Sequence, residues 1–204
     1  MTRTVAITFR SSLYYSLTLQ SILKSMSLIV FDWDDTLFPT SIRANISVHQ
    51  WVLLSLQVEG ILLRAQQLGQ VLILTNSQPG WVRRMTQAYM PALLPTLSTL
   101  PILSAPGLVG DLSSEQWVLK YVVMTLCLEG TTQRLISIGN STAEEKAAAL
   151  IEIEYPQLVV QIVKTPTLPA NYIEMEMVLA QYVPLLEQLL TLPYGVQANI
   201  DLVV

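Results

Sequence analysis

A single histidine, His49, and a single cysteine, Cys127, stand in a chain of 204 residues. One cysteine cannot close an internal disulfide, so nothing here implies an oxidising compartment, and an intracellular setting is expected. Cys127 lies in the apolar stretch YVVMTLCL and reads as a core thiol. His49 has no second histidine and no cysteine close by in sequence for a zinc site, and reads as an ordinary core or surface residue. Charge is scarce as well. Only 13% of residues are charged, against roughly a quarter in an average soluble domain. The net charge of −4 lacks the basic excess of a general nucleic-acid binder. Uninterrupted apolar runs are also missing: residues 85–110 are broken by Pro91, Pro95, Pro101 and Pro106, whereas a membrane span needs about 20 apolar residues in a row. No transmembrane segment is therefore expected. What remains is 51% apolar residues, enough for one heavily buried α/β domain with apolar surface left over for a partner or a second copy.

Acid is absent from residues 1–27, which are rich in Ser and Thr and contain Arg3, Arg10 and Lys24. That composition fits an organellar transit peptide, and it fits equally a translation start placed too early, since Met26 precedes the first strong strand. Residues 1–25 are accordingly set apart as an extension, and 26–204 are read as one domain.

Within that domain, buried strands alternate with helices. Leu28–Phe31, VLILT (71–75), PILSA (101–105), RLISIG (134–139) and LVVQIVK (158–164) are short apolar runs of the kind that form strands covered on both faces. Between them, HQWVLLSLQVEGILLRAQQLG reads as a helix stopped by Gly69. WVRRMTQAYMPALL reads as a helix stopped or kinked near Pro91, and EQWVLKYVVMTLCL as one capped by Ser113 or Ser114. Ser141 opens AEEKAAALIEI, and 171–190 form a closing helix. The alternation predicts a mostly parallel five-stranded sheet. Ligands of such sheets sit beyond the carboxyl ends of the strands.

Those strand ends carry the polar residues. In a chain so poor in charge, Asp32, Asp34 and Asp35 fall within four positions directly after the first strand. The second strand ends in Thr75-Asn76, and the fourth in Gly139-Asn140-Ser141 with Glu144 and Glu145 just beyond. A solvated turn explains an isolated aspartate. Three polar strand ends on one edge of a sheet point instead to a site.

Asp32-Trp33-Asp34-Asp35-Thr36 resembles the D-x-D-x-T signature of the haloacid dehalogenase-like (HAD) superfamily. The resemblance continues in order through Thr75, Lys120 and Gly139-Asn140-Ser141-x-x-Glu144, and covers about residues 26–165. FDWDDTLFPT, TNSQPGWV, QWVLK and SIGNSTAEE look, more narrowly, like HAD-like proteins of protists and algae whose biochemistry is little characterised. The resemblance implies a Rossmann-like three-layer sandwich without a large cap domain, because residues 37–70 and 76–119 are short for an inserted domain. It also implies a Mg²⁺-dependent phosphomonoester hydrolase with an open site suited to a large or partner-presented phosphorylated substrate.

In that reading Asp32 is the nucleophile and forms an aspartyl phosphate, dividing one displacement into two easier ones. Asp34 is the general acid and base, favoured by a carboxyl whose pKa neighbouring carboxylates raise. Thr75, Asn76 and Lys120 hold the phosphoryl group. Mg²⁺ would be held by Asp32, Asp34, Asn140 and Glu144. Asn140 departs from the aspartate usual in the family and brings no charge to the metal. Glu144 has two readings, a metal partner or the acid of a capping box with Ser141. The departure at Asn140 leaves a second function open, a catalytically weakened HAD-like binding or scaffold protein. Trp33 reads either as packing or as pointing into the site, and Arg83-Arg84 as a solvated helix face or a second anion contact.

Overall fold

The computed structural model describes residues 27–109, 115–128, 132–166, 168–192 and 198–202; the N-terminal extension and the proposed Ser113/Ser114 cap lie outside them. Among these residues six strands form one sheet: β1 (Ser27–Phe31), β2 (Gln70–Thr75), β3 (Ile102–Ser104), β4 (Arg134–Gly139), β5 (Val159–Lys164) and β6 (Ala198–Asp201). Their order is β3-β2-β1-β4-β5-β6, and every pairing is parallel. The expected count of five is corrected to six by β6, which pairs Ala198–Asp201 with Gln161–Lys164. Residues Ala198–Asp201 therefore contribute an edge strand among the described residues.

Five longer helices link or flank the strands: α1 (Val48–Leu68), α2 (Trp81–Tyr89), α3 (Gln116–Cys127), α4 (Thr142–Glu154) and α5 (Tyr172–Thr191). Ser47 and Gln50 close a reciprocal capping box on α1. Gly69 ends α1, though with an extended backbone rather than the left-handed cap expected of a glycine stop. A Cβ there would lie 2.8 Å from the Ser27 carbonyl oxygen, so the close approach of β1 demands the glycine. α2 stops at Met90, where Pro91 begins a 3-10 turn. The described start of α3 is Glu115, which makes no side-chain cap bond.

Strand alternation divides the core. Ile29 and Phe31 face a cluster containing Trp51, Leu54 and Val58 of α1 with Val178, Leu179 and Tyr182 of α5. Leu28 and Val30 face a second cluster with Val123, Met124 and Cys127 of α3 and Ala147, Ala148 and Ile151 of α4. Cys127 is the buried core thiol expected, whereas His49 is exposed on α1. α1 and α5 lie side by side, tied by Gln57 donating to the Glu176 carbonyl at 3.0 Å and by Arg64 and Glu187 at 2.7 Å. The apolar surplus partly surfaces here, at Val48, Val52 and Leu56 of α1 and Ile173 and Met177 of α5. No helix among the described residues is long and apolar enough to cross a membrane.

Candidate functional site

Phe31 lies level with Ile73 of β2 and Ile138 of β4, so β1 ends between the two strands whose ends carry the other polar motifs. The Asp32 amide extends the ladder one step, donating to the Ile138 carbonyl at 2.9 Å. The chain then turns sharply. Leu37 and Phe38 both donate to the Trp33 carbonyl, and the Asp35 amide donates to the Phe38 carbonyl at 2.7 Å. Asp35 takes a left-handed φ of 54°, a conformation aspartate tolerates better than most side chains. Trp33 packs: it is fully buried and stacks on Phe38 with centroids 5.6 Å apart, and Phe38 stacks in turn on Trp51. From α5, the Tyr182 hydroxyl donates to the Thr36 carbonyl at 3.0 Å. The turn is thus fixed from both sides.

This turn sends two carboxylates in different directions. Asp32 faces Lys120, whose ammonium lies 2.6 Å from its Oδ1 although 88 residues separate them. The same ammonium is paired with Glu144, so a lysine only 1% exposed bridges two buried carboxylates. Burial pushes the Asp32 carboxyl up to about 7; Lys120 opposes the rise, and Glu144 and Asp34 add to it. Burial alone would lower the Lys120 pKa, but the two carboxylates outweigh it and hold the ammonium charged. Both acids thus face one cation.

Glu144 reaches Lys120 because Gly139 has no side chain. A Cβ at Gly139 would sit 2.4 Å from Glu144 Cγ. The other Glu144 oxygen accepts the Ser141 amide at 3.0 Å and the Ser141 hydroxyl at 2.5 Å, completing the capping box of α4. Both Glu144 oxygens are therefore engaged, one by the helix cap and one by Lys120. Asn140 follows the last residue of β4, beside the Asp32 end of β1. Glu145 points away to Lys164, 3.0 Å distant.

Asp34 sits in a cage of donors. Thr40 Oγ1 (2.5 Å) and Trp81 Nε1 (2.9 Å) donate to its Oδ1, and Ser77 Oγ (2.8 Å) and Thr75 Oγ1 (3.3 Å) to its Oδ2. Thr75 also accepts the Ser77 amide at 3.0 Å, and Ser104 at the end of β3 donates to the Ser77 carbonyl. The Thr75 hydroxyl, expected to face the phosphoryl group, is turned to Asp34 here. Asn76 follows it, with its side-chain oxygen buried and without a hydrogen-bond partner. Thr40, Ser77 and Trp81 were not assigned from sequence. Ser77 carried a usable signal, lying in the polar run directly after β2. Thr40 carried none, because its position depends on the path of the turn.

The oxygen donors offered at this edge are Asp32, Asp34 and Asn140, and oxygen donors suit Mg²⁺. With Glu144 committed to Lys120 and Ser141, the set is poor in negative charge, and among the described residues no three His, Cys, Asp or Glu side chains are grouped to hold a metal. The fit is in donor type, with weak affinity expected. No family model, no curated protein and no solved structure matches the chain.

Proposed function

We propose that the chain is a Mg²⁺-dependent phosphomonoester hydrolase of the HAD-like superfamily, built as a Rossmann-like three-layer sandwich without a large cap domain. The observation that carries this reading is the contact between Asp32 at the end of β1 and Lys120 from α3, beside a second carboxylate, Asp34, that is held apart in its own cage. A solvated turn needs neither a buried lysine nor a four-donor cage.

Catalysis would run through the chain's own groups as follows. Asp32 attacks phosphorus, the bond from phosphorus to the leaving oxygen breaks, and Asp34 gives that oxygen its proton. A water then attacks the aspartyl phosphate, Asp34 takes the water's proton, and phosphate leaves Asp32 as a free carboxylate. Lys120 holds the phosphoryl oxygens as a point charge, with Thr75 and Asn76 beside it. Glu144 acts from behind, fixing Lys120. When bound, Mg²⁺ would neutralise charge on the phosphoryl oxygens; Asp32, the main-chain carbonyl of Asp34 and Asn140 would hold it. With the Asp32 carboxyl near 7, full ionisation of the nucleophile requires more positive charge than Lys120 alone supplies.

A specific observation favours a second reading, a weakened HAD-like binding protein: Asn140 brings no charge, and Glu144 has no oxygen left to replace it. Phosphate release from a generic aryl phosphate decides between them. The hydrolase reading predicts Mg²⁺-dependent turnover that Asp32→Asn abolishes and Asn140→Asp raises. Turnover in Asn140→Asp alone supports the weakened protein, and inactivity of every folded form overturns the hydrolase.

A further inference from the structure

Between α2 and the segment leading into β3 lies a cavity of about 410 Å³, within the size range of small-ligand sites. Thr75 and Trp81, both bonded to Asp34, line it together with Leu97, Leu100, Ile102 and Arg83. Nothing in the reaction described above uses this space. Its position relative to Asp34 gives it a direction. Three of the four donors caging Asp34 come from Thr75, Ser77 and Trp81, so the acid faces the end of β2, and two of these donors, Thr75 and Trp81, also line the cavity. The acid that protonates a leaving oxygen must lie on the leaving-group side of phosphorus. The leaving group therefore heads away from Lys120 and toward the cavity.

The lining specifies the chemistry. Trp81 is oriented by its N–H bond to Asp34 and lines the cavity together with aliphatic side chains, a setting for a flat ring. Arg83 is exposed and, among the described residues, makes neither an ion pair nor a hydrogen bond, whereas Arg84 donates to the Pro79 carbonyl. A free guanidinium on such a wall matches a carboxylate.

We propose that this cavity receives the leaving group of the phosphomonoester, and that the group it fits is a single aromatic ring bearing a carboxylate for Arg83. The assignment rests on the hydrolase reading for its reaction but not for its binding. In the reaction the aryl–oxygen–phosphorus ester breaks at phosphorus, the oxygen keeps the bonding pair and takes the Asp34 proton, and a phenol leaves. Water supplies the oxygen of the released phosphate.

The test compares phenyl phosphate with 4-carboxyphenyl phosphate as substrates, and titrates 4-hydroxybenzoate and phenol calorimetrically, using the whole chain and Arg83→Gln and Arg83→Lys. The expected kcat/KM preference for the carboxylated ester is about tenfold, carried mainly by KM, erased in Arg83→Gln and partly restored in Arg83→Lys. 4-Hydroxybenzoate should bind more tightly than phenol by a similar factor, again only while residue 83 is cationic. Equal kcat/KM values for the two esters, or a preference that survives Arg83→Gln, overturn the assignment. If neither ester is hydrolysed by the wild type or by Asn140→Asp, the hydrolase reading fails, and the titration alone judges the cavity: Arg83-dependent binding of 4-hydroxybenzoate supports it, and no binding overturns it.

Discussion

Replacing Asp32 by asparagine should stabilise the metal-free protein at alkaline pH, although it removes the nucleophile. In the folded chain Lys120 faces two buried carboxylates, and burial with Glu144 moves the Asp32 carboxyl from an ordinary 3.8 to about 7. A carboxyl raised in this way contributes stability that is complete below its unfolded pKa and is lost as pH rises through the folded one. Between pH 5 and pH 8 at most about 3 kcal/mol of stability is lost, at about 1.4 kcal/mol per pKa unit. Asparagine keeps the shape without the charge and leaves Lys120 and Glu144 as a neutral pair. For a chain of this size a gain of that order corresponds to at most about 9 °C in Tm. Thermal unfolding followed by circular dichroism, in chelator at pH 5 and pH 8, reads it. The Asp32→Asn protein should gain on wild type as pH rises; an equal difference at both pH values, or a loss at pH 8, would refute the picture of two acids competing for one cation.

Gly139→Ala forces Glu144 off Lys120, and should cost about 1–3 kcal/mol in urea unfolding while lowering phosphate release more than tenfold. Trp81→Phe keeps the ring but removes the N–H donated to Asp34. It should lower kcat about tenfold for alkyl phosphates, whose leaving oxygens need the proton most, and much less for aryl phosphates, with a stability loss near 1 kcal/mol. Asp35→Ala puts a side chain poorly suited to φ 54° in the turn and removes the acceptor of the Ser41 amide, a loss of about 1–2 kcal/mol by thermal unfolding. Asp35→Asn, which tolerates the conformation and keeps an acceptor, should retain most of that stability.

Five of the six strands were legible because each is buried on both faces and so appears as a continuous apolar run. β6 was not, since Ala198–Asp201 is a four-residue edge strand in which only Ile200 is large and apolar. A helix stop was legible at Pro91 and a helix start at Ser141, where backbone chemistry is local. The reason for Gly69 was not, because it lies in the approach of Ser27, far away in sequence. The same division holds in the site. Asp32, Lys120 and Glu144 stood out as rare charges in a chain nearly without them, and they meet. The caging of Asp34 by Thr40, Ser77 and Trp81 depends on how one turn and two strand ends converge in space, which no spacing reveals. Glu144 shows both kinds of information: its capping box was readable from Ser141-x-x-Glu144, while its bridge to Lys120 required the empty space at Gly139.

The central claim is that Asp32 itself takes the phosphoryl group. Acid quench during turnover of an aryl phosphate with Mg²⁺, followed by mass spectrometry of the peptides, tests it most directly. A phosphoryl group on the peptide carrying Asp32, lost on base treatment and absent from Asp32→Asn, is the predicted result. Turnover with no phosphoryl group on that peptide, or with one on any other residue, would contradict it.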